Sequence, residues 1–254
     1  MTPPNSLPPL EAADVARRAV PLLDLTDLSE TCTEAAVTAL CARACAEGVA
    51  AVCVWPAFVA SAVRALAGHP VRVATVVNFP AGGEDGEATL AQTRRALADG
   101  AQEIDLVLPY RALLRGEAGV ARAMVETVRG ACGGSILLKV ILESGMLPDS
   151  AAVAAASRLA LEAGADFLKT STGKTLVSAT PEAAETMLLA IRAAGTGRAA
   201  GLKVSGGLRR VEDAARYLAL AERIMGPGWV GPHSMRIGAS TLLDDLLRAR
   251  DQAA

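Results

Sequence analysis

Eight short apolar runs alternate with longer amphipathic stretches along the chain, and this alternation limits the possible folds more than any other feature. The runs fall at 22–25, 50–54, 71–77, 104–108, 136–142, 167–170, 202–205 and 236–238. Strands that alternate with helices form parallel sheets with crossover connections. A chain of 254 residues with eight such units has the size of a (β/α)8 TIM barrel. We therefore predict this α/β fold.

An open, doubly wound parallel sheet is the alternative architecture. That fold usually carries a glycine-rich phosphate loop after its first strand, whereas the first run here is followed by DLTDLSE, which contains no glycine. We expect a single barrel domain over residues 1–254. Residues 1–20, which begin with a proline-rich stretch, are expected to form a short N-terminal extension with one helix.

Residues typical of helix ends support these boundaries. Thr31 and Glu34 have the spacing of a capping box, and Thr180 followed by Pro181 predicts a capped helix start. Three glycines end helical patterns immediately before a predicted strand: Gly48, Gly100 and Gly164. A left-handed glycine at the end of a helix explains each of these positions.

Composition argues against several classes of function. The net charge of -2 provides no basic excess for nucleic acid, and no segment offers the ~20 unbroken apolar residues of a membrane span. The N-terminal stretch lacks the apolar core of a signal peptide. Five cysteines without a Cys-x-x-Cys pair suggest reduced thiols and a cytoplasmic protein. The two histidines are far apart in the sequence, which argues against a histidine-based metal site.

Lysine is rare in this chain, and its positions are informative. Of 25 basic residues other than histidine, only four are lysines, and the other 21 are arginines. The lysines are Lys139, Lys169, Lys174 and Lys203. All four fall within or just after predicted strands, where the active sites of such barrels are built. Because buried lysine can lose its proton near neutral pH and arginine cannot, these positions favour Schiff-base chemistry.

Lys169 and Lys203 lie on consecutive predicted strands, so their ammonium groups are expected to be close. A neighbouring like charge and burial both disfavour protonation and can lower a lysine pKa by several units. One amine could then attack a carbonyl while the other stays charged. Asp105, in an apolar strand, is a candidate proton relay. Its alternative role is a salt bridge to Lys139 or Lys203.

Small and glycine-rich segments follow the last three strands and predict an anion site. They contain Gly173 and Lys174 after strand six, Gly206 and Gly207 after strand seven, and Gly238, Ser240 and Thr241 after strand eight. Backbone amides in such loops, together with a helix N-terminus, can hold a phosphate group. Barrels of this type commonly bind phosphate near strands seven and eight.

Five long segments resemble the 2-deoxyribose-5-phosphate aldolase family: ADFLKTSTGK, EIDLVLPYRALLRGE, LLKVILESG, GLKVSGGLR and ATVVNFP. The similarity extends over residues 22–247. It implies a TIM barrel that splits 2-deoxy-D-ribose 5-phosphate into D-glyceraldehyde 3-phosphate and acetaldehyde, with neither a metal nor an organic cofactor. It also suggests a homodimer.

The resemblance assigns a role to individual positions. It places the Schiff-base lysine at Lys169, the perturbing and proton-assisting lysine at Lys203, and the proton-relay acid at Asp105. Phosphate contacts are expected at Gly173, Lys174, Gly206, Gly207, Arg209, Gly238, Ser240 and Thr241. The pocket is expected to be lined by Asp24, Thr26, Lys139 and Thr172.

The chain departs from some members of that family in two places. It ends in RARDQAA without the terminal tyrosine that assists proton transfer in those members, and KVSGG replaces their KPAGG. Three other functions are alternatives: a Schiff-base aldolase or transaldolase for a different phosphosugar, a phosphosugar-binding protein without catalysis, and a metal-dependent aldolase.

Overall fold

The computed structural model describes residues 11–194 and 199–252, and its sheet is a closed barrel of eight parallel strands. The strands are β1 Leu23–Asp27, β2 Ala51–Val54, β3 Arg72–Val77, β4 Glu103–Val107, β5 Leu137–Ile141, β6 Phe167–Lys169, β7 Gly201–Ser205 and β8 Met235–Ala239. Each strand pairs with its neighbours in chain order, and β8 closes the barrel on β1. The predicted (β/α)8 barrel is confirmed, and every predicted run overlaps one strand.

Helices occupy the connections between the strands. In the described ranges they are α1 Ala12–Ala19, α2 Glu34–Glu47, α3 Val59–Ala65, α4 Gly86–Ala98, α5 Tyr110–Leu114, α6 Ala118–Cys132, α7 Ser150–Glu162, α8 Pro181–Ala193, α9 Val211–Met225 and α10 Leu242–Asp251. The helix expected in the N-terminal extension is α1, which packs against α9 and α10. Residues 1–10 of that extension lie outside the described residues, and the single-domain assignment stays a prediction.

Local chemistry sets the helix boundaries. The Thr180 hydroxyl accepts a hydrogen bond from the Ala183 amide, and Pro181 begins α8 as predicted. The glycines at 48, 100 and 164 have φ values of 67°, 98° and 103°, in the region that favours glycine. The capping box predicted from Thr31 is wrong. Because α2 begins only at Glu34, Thr33 is its cap and accepts from the Ala36 amide at 3.2 Å.

The barrel interior is divided into an apolar part and a charged part. Small apolar side chains of β2 and β3 form a separate cluster with Leu28: Ala51, Cys53, Ala74 and Val76. The intervening hydrophobic residues of β2 and β3 belong instead to the main apolar core, which also contains residues of the surrounding helices. Strands β1, β4, β5, β6, β7 and β8 contribute buried charged groups. The apolar part of the interior is therefore confined to β2 and β3, and the other six strands supply the charged groups.

The composition led to expectations about membrane spans, cysteines and a metal site. In the described part of the chain, no helix has the length and apolar character needed to cross a membrane. All five cysteines are free thiols. Within the same residue ranges, no group of three or more histidine, cysteine, aspartate and glutamate side chains is arranged to hold a metal ion.

Candidate active site

A cavity of about 340 Å³ opens where β1, β6, β7 and β8 end. Lys169, the last residue of β6, reaches its floor and is only 3% exposed. The Lys169 Nζ donates a hydrogen bond to Asp105 Oδ2 at 2.8 Å, and Lys203 Nζ donates to the same oxygen at 2.7 Å. The two lysines are register partners on neighbouring strands. The structure therefore brings together the three residues predicted to perform the chemistry.

Two further cations and two further carboxylates extend this cluster into the barrel. Lys139 Nζ donates to Asp105 Oδ1 at 2.8 Å and lies 2.6 Å from Glu103 Oε2. Lys203 Nζ lies 2.6 Å from Asp24 Oδ2. The buried network thus contains Lys139, Lys169, Lys203 and Arg236 as cations and Asp24, Glu103 and Asp105 as carboxylates. Arg236 donates to Asp24 at 2.7 Å and to Glu103 at 3.0 Å, and it thereby links these two carboxylates of the network.

Charge counting indicates which group gives up its proton. Four cations face three carboxylates, so loss of one proton from a lysine makes the network neutral. Lys139 and Lys203 each have at least two carboxylates within 3 Å. Within the described ranges, Lys169 forms an ion pair with Asp105 alone, a carboxylate that it shares with the other two lysines. Lys169 is therefore the lysine whose deprotonation gives up the fewest ion pairs.

The pKa shifts agree with this count. Burial lowers the pKa of Lys169 below its ordinary value; Asp105 opposes this effect, and the Lys203 charge adds to it. Burial also acts to lower the pKa of Lys203, but Asp105 and Asp24 outweigh it, so that pKa is raised. Burial would raise the pKa of Asp105, yet Lys139 and the two other lysines hold it well below its usual range. Lys169 is the one lysine of the three with a lowered pKa.

All eight residues predicted to contact phosphate line the cavity. Gly173, Gly206 and Gly207 have φ values of 78°, 91° and 87°, which a side chain rarely permits. A Cβ on Gly206 would also lie 2.6 Å from the Ser178 Cβ. Backbone is therefore exposed to the cavity where a bound anion could accept hydrogen bonds from amides.

The four remaining predicted pocket residues occupy two different layers. Thr26 and Thr172 line the cavity. Asp24 and Lys139 are fully buried and contribute to the charged network below Lys169 rather than to the cavity wall. Lys174 also lines the cavity, and its Nζ donates to the Leu28 carbonyl at 3.0 Å. That bond holds the ammonium group at the rim between the β6 and β1 loops.

Comparisons with known proteins agree with this geometry. The model of the DeoC/LacD family of aldolases matches residues 18–248. The chain belongs to this aldolase family. A deoxyribose-phosphate aldolase from Agrobacterium fabrum is 50% identical over 243 residues, which cover 94% of this chain and 92% of that protein.

Solved structures of other members have the same fold as this aldolase. A protein from Toxoplasma gondii ME49, assigned as a deoxyribose-phosphate aldolase, superposes with a TM-score of 0.87 at 27% identity, covering 96% of this chain and 99% of that one. The deoxyribose phosphate aldolase from Aeropyrum pernix, which is a tetramer, gives a TM-score of 0.77 at 25% identity over 96% and 93%.

Three buried residues of this aldolase were given no role in the predicted site. Glu103 and Arg236 complete the charged network, and Glu143 binds the segment after β6. Each had a signal in the sequence, since each is a charged residue within or just after an apolar run. Glu103 also lies two residues before Asp105, which gives the two carboxylates the same side of β4.

Proposed function

We propose that this aldolase reversibly cleaves 2-deoxy-D-ribose 5-phosphate to D-glyceraldehyde 3-phosphate and acetaldehyde through a Schiff base on Lys169. The observation that carries the proposal is a single buried amine with a lowered pKa at the floor of a cavity whose rim exposes backbone amides and a lysine. The Agrobacterium fabrum relative is a deoxyribose-phosphate aldolase, which supports the choice of substrate.

The proposed reaction begins when neutral Lys169 attacks the C1 aldehyde of the open-chain sugar. Loss of water gives an iminium, which accepts the electron pair of the C2–C3 bond as a base removes the C3 hydroxyl proton. Glyceraldehyde 3-phosphate leaves, and the remaining enamine is protonated and hydrolysed to acetaldehyde. Asp105, Lys203 and a water molecule are proposed to transfer these protons, because Asp105 Oδ2 accepts hydrogen bonds from both the Lys169 and the Lys203 amines.

The substrate phosphate is proposed to bind at the rim. The residues assigned to it are Gly173, Lys174, Gly206, Gly207, Arg209, Gly238, Ser240 and Thr241. Of these, Gly206 and Gly207 precede α9, and Thr241 immediately precedes α10. A helix N-terminus favours an anion, so this orientation leaves the aldehyde end of the sugar for Lys169.

The acidic limb of the pH–rate profile should report Lys169. Only the neutral amine attacks, so kcat/KM should rise with pH as the proton leaves, with a midpoint below the ordinary lysine value of 10.5. Replacing Lys203 with methionine removes a neighbouring positive charge, so the midpoint should move to higher pH. A fall of kcat/KM with rising pH over this range, or a midpoint that moves downward in Lys203→Met, would contradict the assignment.

Lys174→Met should weaken binding of the phosphorylated substrate. Losing one charge-assisted hydrogen bond raises KM by roughly 10- to 100-fold, with a smaller change in kcat. Steady-state kinetics with 2-deoxyribose 5-phosphate measure both constants. The control is Arg95→Met, because Arg95 is a cation 85% exposed on α4 and should leave KM unchanged. An unchanged KM in Lys174→Met would remove this residue from the phosphate site.

A panel of carbonyl donors, assayed with and without EDTA, tests the reaction itself. Acetaldehyde as the preferred donor and full activity in EDTA are the expected results. A preference for a ketone donor would instead indicate another Schiff-base aldolase or a transaldolase. Loss of activity in EDTA would indicate a metal-dependent aldolase, and absence of turnover with every donor would indicate a binding protein.

We further propose that the enzyme works in the cytoplasm, without a cofactor, as a homodimer. The family resemblance supports the dimer, whereas the Aeropyrum pernix enzyme is a tetramer. Light scattering coupled to size-exclusion chromatography should give twice the chain mass of 25.9 kDa. A mass of one or four chains would overturn the dimer.

A further inference from the structure

Glu143, two residues after the end of β5, is a fully buried acid in an unusual backbone conformation. Its φ and ψ of 52° and 55° lie in the left-handed region that residues other than glycine rarely adopt. Such conformations persist where the surroundings hold them, often at functional sites. Glu143 does not line the cavity, so its role must be carried by the groups that its carboxylate contacts.

Those contacts all lie in the segment that follows β6. The Thr172 hydroxyl donates to Glu143 Oε2 at 2.5 Å, and the Thr172 amide donates to Oε1 at 3.2 Å. The Thr175 hydroxyl lies 3.3 Å from Oε1 and 2.9 Å from the Val177 carbonyl oxygen, so its one proton is shared between these two acceptors. Both oxygens of the buried carboxylate therefore accept hydrogen bonds from residues on either side of Gly173 and Lys174.

The Thr172 hydroxyl connects Glu143 to the rim of the cavity. While its proton points to Glu143, its oxygen accepts a hydrogen bond from the Lys174 amide at 3.0 Å. The backbone on both sides is also joined, because the Ser144 amide donates to the Thr170 carbonyl at 2.9 Å. The path from the carboxylate to the Lys174 backbone thus consists of two hydrogen bonds.

Close packing fixes the same two segments against each other. A Cβ on Gly145 would lie 2.1 Å from the Val177 carbonyl oxygen, so the backbones after β5 and β6 are in direct contact there. Burial leaves Glu143 with no solvent to replace a lost partner, and an unmet buried donor is costly. Loss of the carboxylate should therefore change the shape of the segment rather than be absorbed by water.

We propose that Glu143 is a positioning residue that shapes residues 172–175 so that Gly173 and Lys174 face the substrate phosphate. The proposal rests on the proposed function, since it assigns the phosphate to this rim. It distinguishes Glu143 from Asp105, which contacts the reacting amine directly. Binding of the phosphate should consequently depend on Glu143, whereas formation of the Schiff base should not.

Glu143→Gln tests this separation. Glutamine keeps the size of the side chain but replaces one acceptor oxygen with an NH2 group that faces a donor. KM for 2-deoxyribose 5-phosphate should rise roughly tenfold or more. The rate of inactivation by acetaldehyde plus borohydride, which needs no phosphate, should stay within about twofold of wild type.

Asp149→Asn is the matched control. Asp149 also accepts a backbone hydrogen bond with its carboxylate, from Ala152 at the start of α7, but it lies outside the cavity. This variant should change neither readout. If Glu143→Gln does not fold, Thr175→Val removes one of the same hydrogen bonds. This variant should raise KM by a smaller factor and should again leave the inactivation rate nearly unchanged.

Two results would overturn the proposal: an unchanged KM, or an inactivation rate that falls in parallel with the rise of KM. These results are separate from a failure of the proposed function. In that case the wild-type enzyme itself would show no turnover of 2-deoxyribose 5-phosphate or no inactivation by acetaldehyde plus borohydride.

Discussion

Lys169→Arg is expected to lower kcat for 2-deoxyribose 5-phosphate by at least about 10⁴-fold. Arginine keeps the positive charge but does not lose its proton near neutral pH, so it cannot form the Schiff base. Stopped-flow or coupled assays of glyceraldehyde 3-phosphate release measure the loss. Turnover at the wild-type rate would exclude Lys169 as the nucleophile.

Lys169→Met separates the chemistry from the charge balance. This variant should be equally inactive, but it leaves three buried cations facing three carboxylates. If Lys169 is neutral in the native enzyme, methionine leaves no uncompensated charge, whereas arginine adds a permanent fourth cation. Thermal unfolding should therefore give a higher Tm for Lys169→Met than for Lys169→Arg. The reverse order would contradict the charge count.

Asp105→Asn should damage both catalysis and stability. The carboxylate accepts hydrogen bonds from three buried lysines, so its loss leaves two protonated amines with fewer partners. Breaking a buried ion pair from one side costs about 3–5 kcal/mol of unfolding free energy. Loss of the proposed proton relay should also lower kcat by roughly 10²- to 10⁴-fold.

Urea denaturation and steady-state kinetics measure the two effects of Asp105→Asn. The control is Asp99→Asn, because Asp99 lies at the end of α4 in a loose, exposed pair with Arg95 at 3.9 Å. Exposed pairs of this kind contribute little, so this control should lie within about 0.5 kcal/mol of wild type. A similarly small effect of Asp105→Asn would show that the buried network does not depend on this carboxylate.

The fold could be predicted from the sequence because each unit carries its own boundary signals. Apolar runs define the strands, and Gly48, Gly100 and Gly164 each end a helical pattern just before a strand. The ends of parallel strands in a barrel share one rim, so the order of the strands was enough to bring Lys169 and Lys203 together. The start of α2 was predicted incorrectly, because Thr31 and Thr33 are both residues that can cap a helix and the true cap is Thr33.

The partners inside the barrel could not be predicted in the same way. Arg236 and Glu103 are 133 positions apart and lie on strands that do not pair with each other, so neither spacing nor register joins them. Their contact depends on long side chains that meet across the barrel interior. The same reason explains why Asp24 and Lys139 were expected at the cavity wall, whereas they are buried in the network beneath it.

Glu143 shows a different limit. Its position after β5 was visible in the sequence, but its left-handed backbone and its bonds to Thr172 and Thr175 depend on how two loops pack. Loop conformation of this kind is not encoded in a periodic pattern. A charged residue at the end of an apolar run is therefore a useful signal of a functional position, although it does not reveal the role.

The most direct test of the account is to trap the intermediate. The wild-type enzyme is incubated with 2-deoxyribose 5-phosphate and borohydride, digested with trypsin and analysed by mass spectrometry. Trypsin does not cleave after an alkylated lysine, so modification of Lys169 should replace peptide 159–169 with an ethylated peptide 159–174. A label on Lys203 or Lys139, or an active enzyme with no label at all, would contradict the claim that Lys169 is the neutral nucleophile.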